Sequence, residues 1–139
     1  MSILLKQDHE ALRVMMHEFA MVMRTCGIEA LPEIARKRIA FSQMFREHMG
    51  REDARALTLR DGHLAVQADL LLREHGRSVR ALFLLYSDHI KYWTPTLIAQ
   101  DWSGYLDAVL ALQDRLAERM AWEERNLHPL MDAQRHRAA

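Results

Sequence analysis

Histidines, glutamates and one arginine fall in this sequence at spacings that helices would bring together. His48 and Glu52 are four residues apart, which on a helix places both side chains on one face, one turn apart. The same face carries Phe45 and Phe41 one and two turns earlier, so an imidazole and a carboxylate share an apolar stripe. Burying ionisable groups is costly unless they are paired, hydrogen-bonded or bound to metal. His9, His75, Arg119 and Glu123 lie on apolar stripes in the same way. Imidazoles and carboxylates that converge from facing helices are the means by which bundles build iron and manganese centres.

The elements that must position these residues follow from the apolar periodicity. Leu5, His9, Leu12, Met16, Phe19 and Met23 alternate steps of four and three, which predicts a first helix from Ile3 to Thr25. Cys26-Gly27 ends it, with Gly27 suited to a left-handed capping position. A second helix is expected from Leu31-Pro32 to Leu59, with Ile34, Phe41, Phe45, His48 and Glu52 inward. Gly50 interrupts it without a local reason, and Asp61-Gly62 is a turn signal. A third helix spans Leu64 to Trp93 on a stripe of Leu72, His75, Val79, Leu82, Tyr86, His89 and Trp93, and Thr94-Pro95 closes it. Thr96 to Asp101 is a short turn or helical fragment. A fourth helix begins at Trp102 or Ser103 and reaches His128 or beyond, with Val109, Leu112, Leu116, Arg119, Glu123, Leu127 and Leu130 inward. Pro129 should bend or loosen its last turn. Long helices with short connections imply an all-α, antiparallel up-down-up-down four-helix bundle, and no linker divides residues 1–139 into two domains.

A weak internal repeat agrees with this layout. Leu4-Leu5-Lys6-Gln7-Asp8-His9 resembles Leu70-Leu71-Leu72-Arg73-Glu74-His75, and His48-x3-Glu52 has a counterpart in Arg119-x3-Glu123. Two such hairpins, packed together, bring His9, His48, Glu52, His75, Arg119 and Glu123 to one end of the bundle.

Composition narrows the function classes. Of 139 residues, half are hydrophobic, and only 5 are Gly and 3 Pro, so a helical domain can bury a core. The 19 basic and 19 acidic residues cancel, which gives no electrostatic reason to expect nucleic acid or an anionic membrane as partner. Arg135-His136-Arg137 is a short basic run expected to be a solvated tail. The single Cys26 excludes an intrachain disulfide. No apolar run is long enough for a membrane span or, before Lys6, for a secretion signal, so a cytoplasmic protein is expected.

The motifs together resemble the hemerythrin-like family, the HHE cation-binding domain. The matching residues are Asp8-His9-Glu10, His48-x3-Glu52, Glu74-His75 and Glu123-Glu124-x2-Leu127-x-Pro129-Leu130, which span nearly the whole chain. The resemblance implies non-haem iron, with His9 and His48 on a first ion, His75 on a second, and Glu52 and Glu123 bridging them. It also implies sensing or handling of dioxygen, nitric oxide or peroxide, or iron storage and supply, and leaves open whether any reaction is catalysed. The family pattern has a histidine where this chain has Arg119, and oxygen carriers have another where Val79 stands. An arginine does not ligate a cation. It would pair with Glu52 or Glu123 and stand in for the second ion. A one-metal site, a weakened two-metal site and a metal-free polar core all remain open. The metal-free case makes the chain a structural or protein-interaction module, with a homodimer as one form. A ferritin-like di-metal oxidase would need Glu-x-x-His on two helices, and no inward face carries it.

Other residues read more plainly. His89 lies 14 residues beyond His75, roughly 21 Å along the axis, and belongs to the bundle end. His128 and Asp132 copy the His-x3-carboxylate spacing, but at helical pitch His128 sits about 140° from Glu123 and is expected to face outward. His17 and His63 are expected at the surface, and most of the nine methionines fill core. Tyr86, Tyr92, Trp93, Trp102 and Trp122 are expected at bundle ends or boundaries. Arg119-Glu123 would be a surface ion pair if the phase of the fourth helix were off by one residue.

Overall fold

Leu12, Leu5 and Met23 are at most 1% exposed, and the whole predicted stripe of the first helix is buried. The computed structural model describes the backbone of residues 3–138 and the side chains of residues 4–134. The side chains of the Arg135-His136-Arg137 tail lie outside the described residues. Among the described residues the chain is all-α, with no strand. The helices are α1 (Ile3–Cys26), α2 (Leu31–Arg60), α3 (Ala65–Tyr92), α4 (Pro95–Gln100), α5 (Trp102–Trp122) and α6 (His128–Ala138). A 3-10 turn, Gly27–Ala30, joins α1 to α2, and a π turn, Glu123–Leu127, joins α5 to α6. No helix is long and apolar enough to cross a membrane among the described residues.

The boundaries have local causes. Gly27 has φ 61°, the left-handed conformation that glycine adopts without a Cβ penalty. Pro32 stands in the first turn of α2, where its missing N–H costs nothing. Thr94 and Asp101 cap α4 and α5, accepting from the N–H groups of Leu97 (3.2 Å) and Gly104 (3.0 Å). Residues 61–64 turn the chain between α2 and α3, where the expected Asp61-Gly62 signal lies.

Each long helix packs on two others: α1 on α2 and α5, and α3 on the same pair. Their apolar contacts form three clusters. Phe19, Met23, Ile34, Trp93, Tyr105 and Val109 make one. Leu12, Met16, Phe45, Leu116 and Met120 make the second. Leu5, Ala56, Leu59, Leu72, Leu127 and Met131 make the third. Every helix that contributes to both of the last two does so from either side of a polar residue. His9 stands between Leu5 and Leu12, Glu123 between Met120 and Leu127, and His48 and Glu52 between Phe45 and Ala56. The polar set is therefore a layer sealed between two apolar layers.

The chain departs from a continuous fourth helix at Glu123–Leu127. There the His128 N–H bonds back to the Glu123 carbonyl, five residues earlier. Pro129 explains part of this, because its ring cannot follow the carbonyl four residues back in an α-helix and it has no N–H to offer. Asn126 supplies the rest: its side-chain amide donates to the Trp122 carbonyl at 3.0 Å, capping an acceptor where the ladder changes pitch.

Candidate metal centre

His9, His48, Glu52 and Glu123 are all buried, and one donor atom from each lies within 4.8 Å of the others. His9 Nε2 is 3.2 Å from His48 Nε2 and 3.1 Å from Glu123 Oε1. Glu52 Oε2 is 3.6 Å from His48 Nε2 and 4.0 Å from His9 Nε2. Ligands about 2.1 Å from one cation stand roughly 3 Å apart when adjacent and about 4.2 Å when opposed, and these four separations fall in that range.

The outer nitrogens of both rings are held by carboxylates. His9 Nδ1 is 2.7 Å from Glu124 Oε2, and His48 Nδ1 is 3.1 Å from Asp8 Oδ2. Each carboxylate is in turn gripped by an arginine. Arg13 donates to both oxygens of Glu124 at 2.8 and 2.9 Å, and Arg51 to both oxygens of Asp8 at 2.8 and 2.6 Å. Carboxylate–imidazole pairs of this kind fix the ring's orientation and turn the other nitrogen's lone pair inward, toward a metal. Burial opposes the charges of Asp8 and Glu124, but Arg51 with His48, and Arg13 with His9, outweigh it and lower both pKa values.

The charges in the layer divide unevenly. Burial works against a charged His9, yet Glu123 and Glu124 overcome it and raise its pKa. Burial lowers that of His48, with Glu52 opposing. His9 Nε2 thus faces both His48 Nε2 and Glu123 Oε1 at the middle of the cluster. Burial raises Glu123, and the neighbouring Glu52 charge adds to it. Burial would raise Glu52 too, but the hydrogen bond from His128 and the close approach of the His75 and His48 rings hold it well below the usual carboxylate range.

The other oxygens of the two carboxylates face His75 and Arg119. His75 Nε2 is 3.2 Å from Glu52 Oε1, and its Nδ1 is 3.4 Å from Glu123 Oε2. Neither approach is aligned for a hydrogen bond, so Glu52 Oε1 and both nitrogens of His75 are buried without one. Arg119 Nε is 3.7 Å from Glu123 Oε2, with 11% of its side chain exposed, so the arginine points inward and is not a surface pair. Its guanidinium lies 3.9 Å from the centre of the Trp122 ring, and that indole also stacks on His75.

One expectation is reversed. His128 is 1% exposed, and its Nε2 donates to Glu52 Oε2 at 3.1 Å. The outward placement assumed α-helical pitch through residues 123–128. A π turn adds a residue, so positions five apart stand one above the other as positions four apart do in an α-helix. Asp8, Glu124 and their arginines were also missed as site residues. They lie one position off the apolar stripes, and only the cross-helix pairing reveals them. The signal for the π turn, Asn126 with Pro129, was present in the sequence.

His89 belongs to the opposite end, stacked on Tyr105 with ring centres 5.8 Å apart. His17 and His63 are exposed. Beside the layer, an apolar cavity of about 60 Å³ runs between the helices, lined by Met16, Phe41, Phe45, Leu82 and Leu116 among others.

The chain is thus an all-α protein with a buried histidine–carboxylate cluster that could hold a metal ion. No family model, curated protein or solved structure matches it.

Proposed function

We propose that the chain is a hemerythrin-like, antiparallel four-helix bundle that binds one non-haem iron. The carrying observation is the convergence of His9, His48, Glu52 and Glu123 donors within 4.8 Å in a buried layer. The ring of helix contacts and the pairing of early α1 with late α2, as in His9 with His48, support the up-and-down arrangement. Two neutralisable imidazoles and two carboxylates suit a divalent first-row metal. Glu124 and Asp8 orient the imidazoles, and the apolar layers exclude water. Arg119 contributes a fixed positive charge beside Glu123 and takes the place of a second ion, with His75 against the remaining oxygens. Bound there, iron would supply an open position for a small diatomic ligand such as dioxygen or nitric oxide.

Protein expressed in iron-replete medium should carry about one iron per chain, with ligand-to-metal absorption in the visible range. A second reading is favoured by the internal pairing of His9 with His48 and of Glu52 with His128: a metal-free polar core in an interaction module. Near-zero iron with a featureless visible spectrum would sink the first reading and leave the second.

A further inference from the structure

We infer that His128 is an additional metal ligand, delivered to the centre by the π turn. This rests on the metal-binding reading above. Its Nε2 stands 3.1 Å from Glu52 Oε2, the adjacent-ligand spacing for two donors on one ion. Its ring centre is 5.1 Å from that of His9. His128 is outside the set of four whose donors already lie within 4.8 Å of one another, and its Nε2 reaches that set through Glu52 Oε2. A cation on Glu52 Oε2 would favour the tautomer that carries the hydrogen on Nδ1, which has no partner, and so, with a small turn of the ring, would free the Nε2 lone pair for the ion.

The backbone supports the same conclusion. A π turn replaces α-helical hydrogen bonds with poorer ones, and such turns concentrate at functional sites. Here it turns two residues of one strand of chain, Glu123 and His128, into the same layer. At regular pitch, facing Glu123 inward would turn His128 away. The helix that carries Arg119 in place of a histidine thereby still contributes an imidazole, to the half of the centre occupied by His9 and His48. The centre becomes three imidazoles and two carboxylates around one ion.

Titration of the metal-free full chain with Co(II), read by its d–d absorption and by chelator competition, tests this. Wild type should bind one Co(II). His128→Phe and His128→Gln should bind at least about 10-fold more weakly, a loss as large as that for outer hydrogen-bond partners of metal ligands. Their d–d bands should also shift. With Zn(II), the His128 Nε2 resonance of wild type should move in ¹⁵N spectra, a readout that holds even if the variants do not fold. If wild type binds Co(II) but the His128 resonance stays fixed on adding Zn(II), His128 only supports Glu52, and the inference is overturned while the metal site stands. Unchanged affinity and spectrum in folded variants overturn it in the same way. If wild type binds no Co(II), both fall together.

Discussion

Arg119 is the residue on which stoichiometry turns. It lies beside Glu123 Oε2, on the face of the carboxylates away from His9, and its charge repels a cation there. Arg119→His removes that charge and supplies a second imidazole near His75. Metal bound per chain is expected to rise from about one to about two, measured by elemental analysis after equilibration with excess Fe(II). A value that stays at one means that Arg119 does not hold the second position. Glu124 acts differently, through His9. Glu124→Gln leaves the four inner donors in place but weakens the partner that orients the His9 ring. An affinity loss of about 10–100-fold with unchanged stoichiometry is expected from chelator competition. No change would show that the ring is held by packing alone.

At the scale of elements, the apolar stripes of α1 and α2 were legible because both helices keep regular pitch through the site. Leu5, His9 and Leu12 on one, and Phe45, His48 and Glu52 on the other, are buried as the spacing requires. The same rule misplaced His128 because a spacing argument carries a pitch assumption with it, and Asn126 with Pro129 changes the pitch. Residues such as Asp8, adjacent to a stripe but reached by Arg51 from another helix, were not legible because no local pattern encodes a contact 43 positions away. Gly50 lacked a local reason in the sequence and lacks one in the fold: a Cβ there would meet nothing within 4 Å. Gly50→Ala should therefore stabilise α2 by about 1 kcal/mol, seen as a higher midpoint in urea at an unchanged slope. A lower midpoint would mean that the glycine serves a motion of the helix.

For the whole molecule, the end that carries His89 gives stability a dependence on pH. Far from the centre, burial among the aromatics and the nearby Arg38 push the pKa of His89 down to about 4 from 6.5. Below pH 6.5 the unfolded chain takes up a proton that the folded imidazole refuses until pH about 4. The stability from this residue is thus complete above pH 6.5 and is lost as pH falls toward 4. Its size is at most about 3 kcal/mol, and less after solvent screening of a partly exposed ring. His89→Phe keeps the stack on Tyr105 and cannot titrate. Its stability relative to wild type should be constant above pH 6.5 and improve steadily below it. A difference in unfolding free energy that is flat from pH 7.5 to 4.5 would contradict this.

The π turn also fixes how tolerant the C-terminal segment is of changes in length. Beyond it, Met131 fills the core and Gln134 reaches the Thr58 carbonyl at 2.8 Å, its amide lying where a Cβ on Gly62 would stand. All of these depend on one added residue in the phase of the last helix. Removing a single codon anywhere in Glu123–Leu127 would rotate everything after it by about 100°, turning Met131 and Gln134 away from their partners along with His128. Of its five side chains only the exposed Arg125 is free of the layer, the turn and the core. The segment is therefore constrained in its length as tightly as in its residues, and an insertion or deletion there should be as damaging as the loss of a ligand.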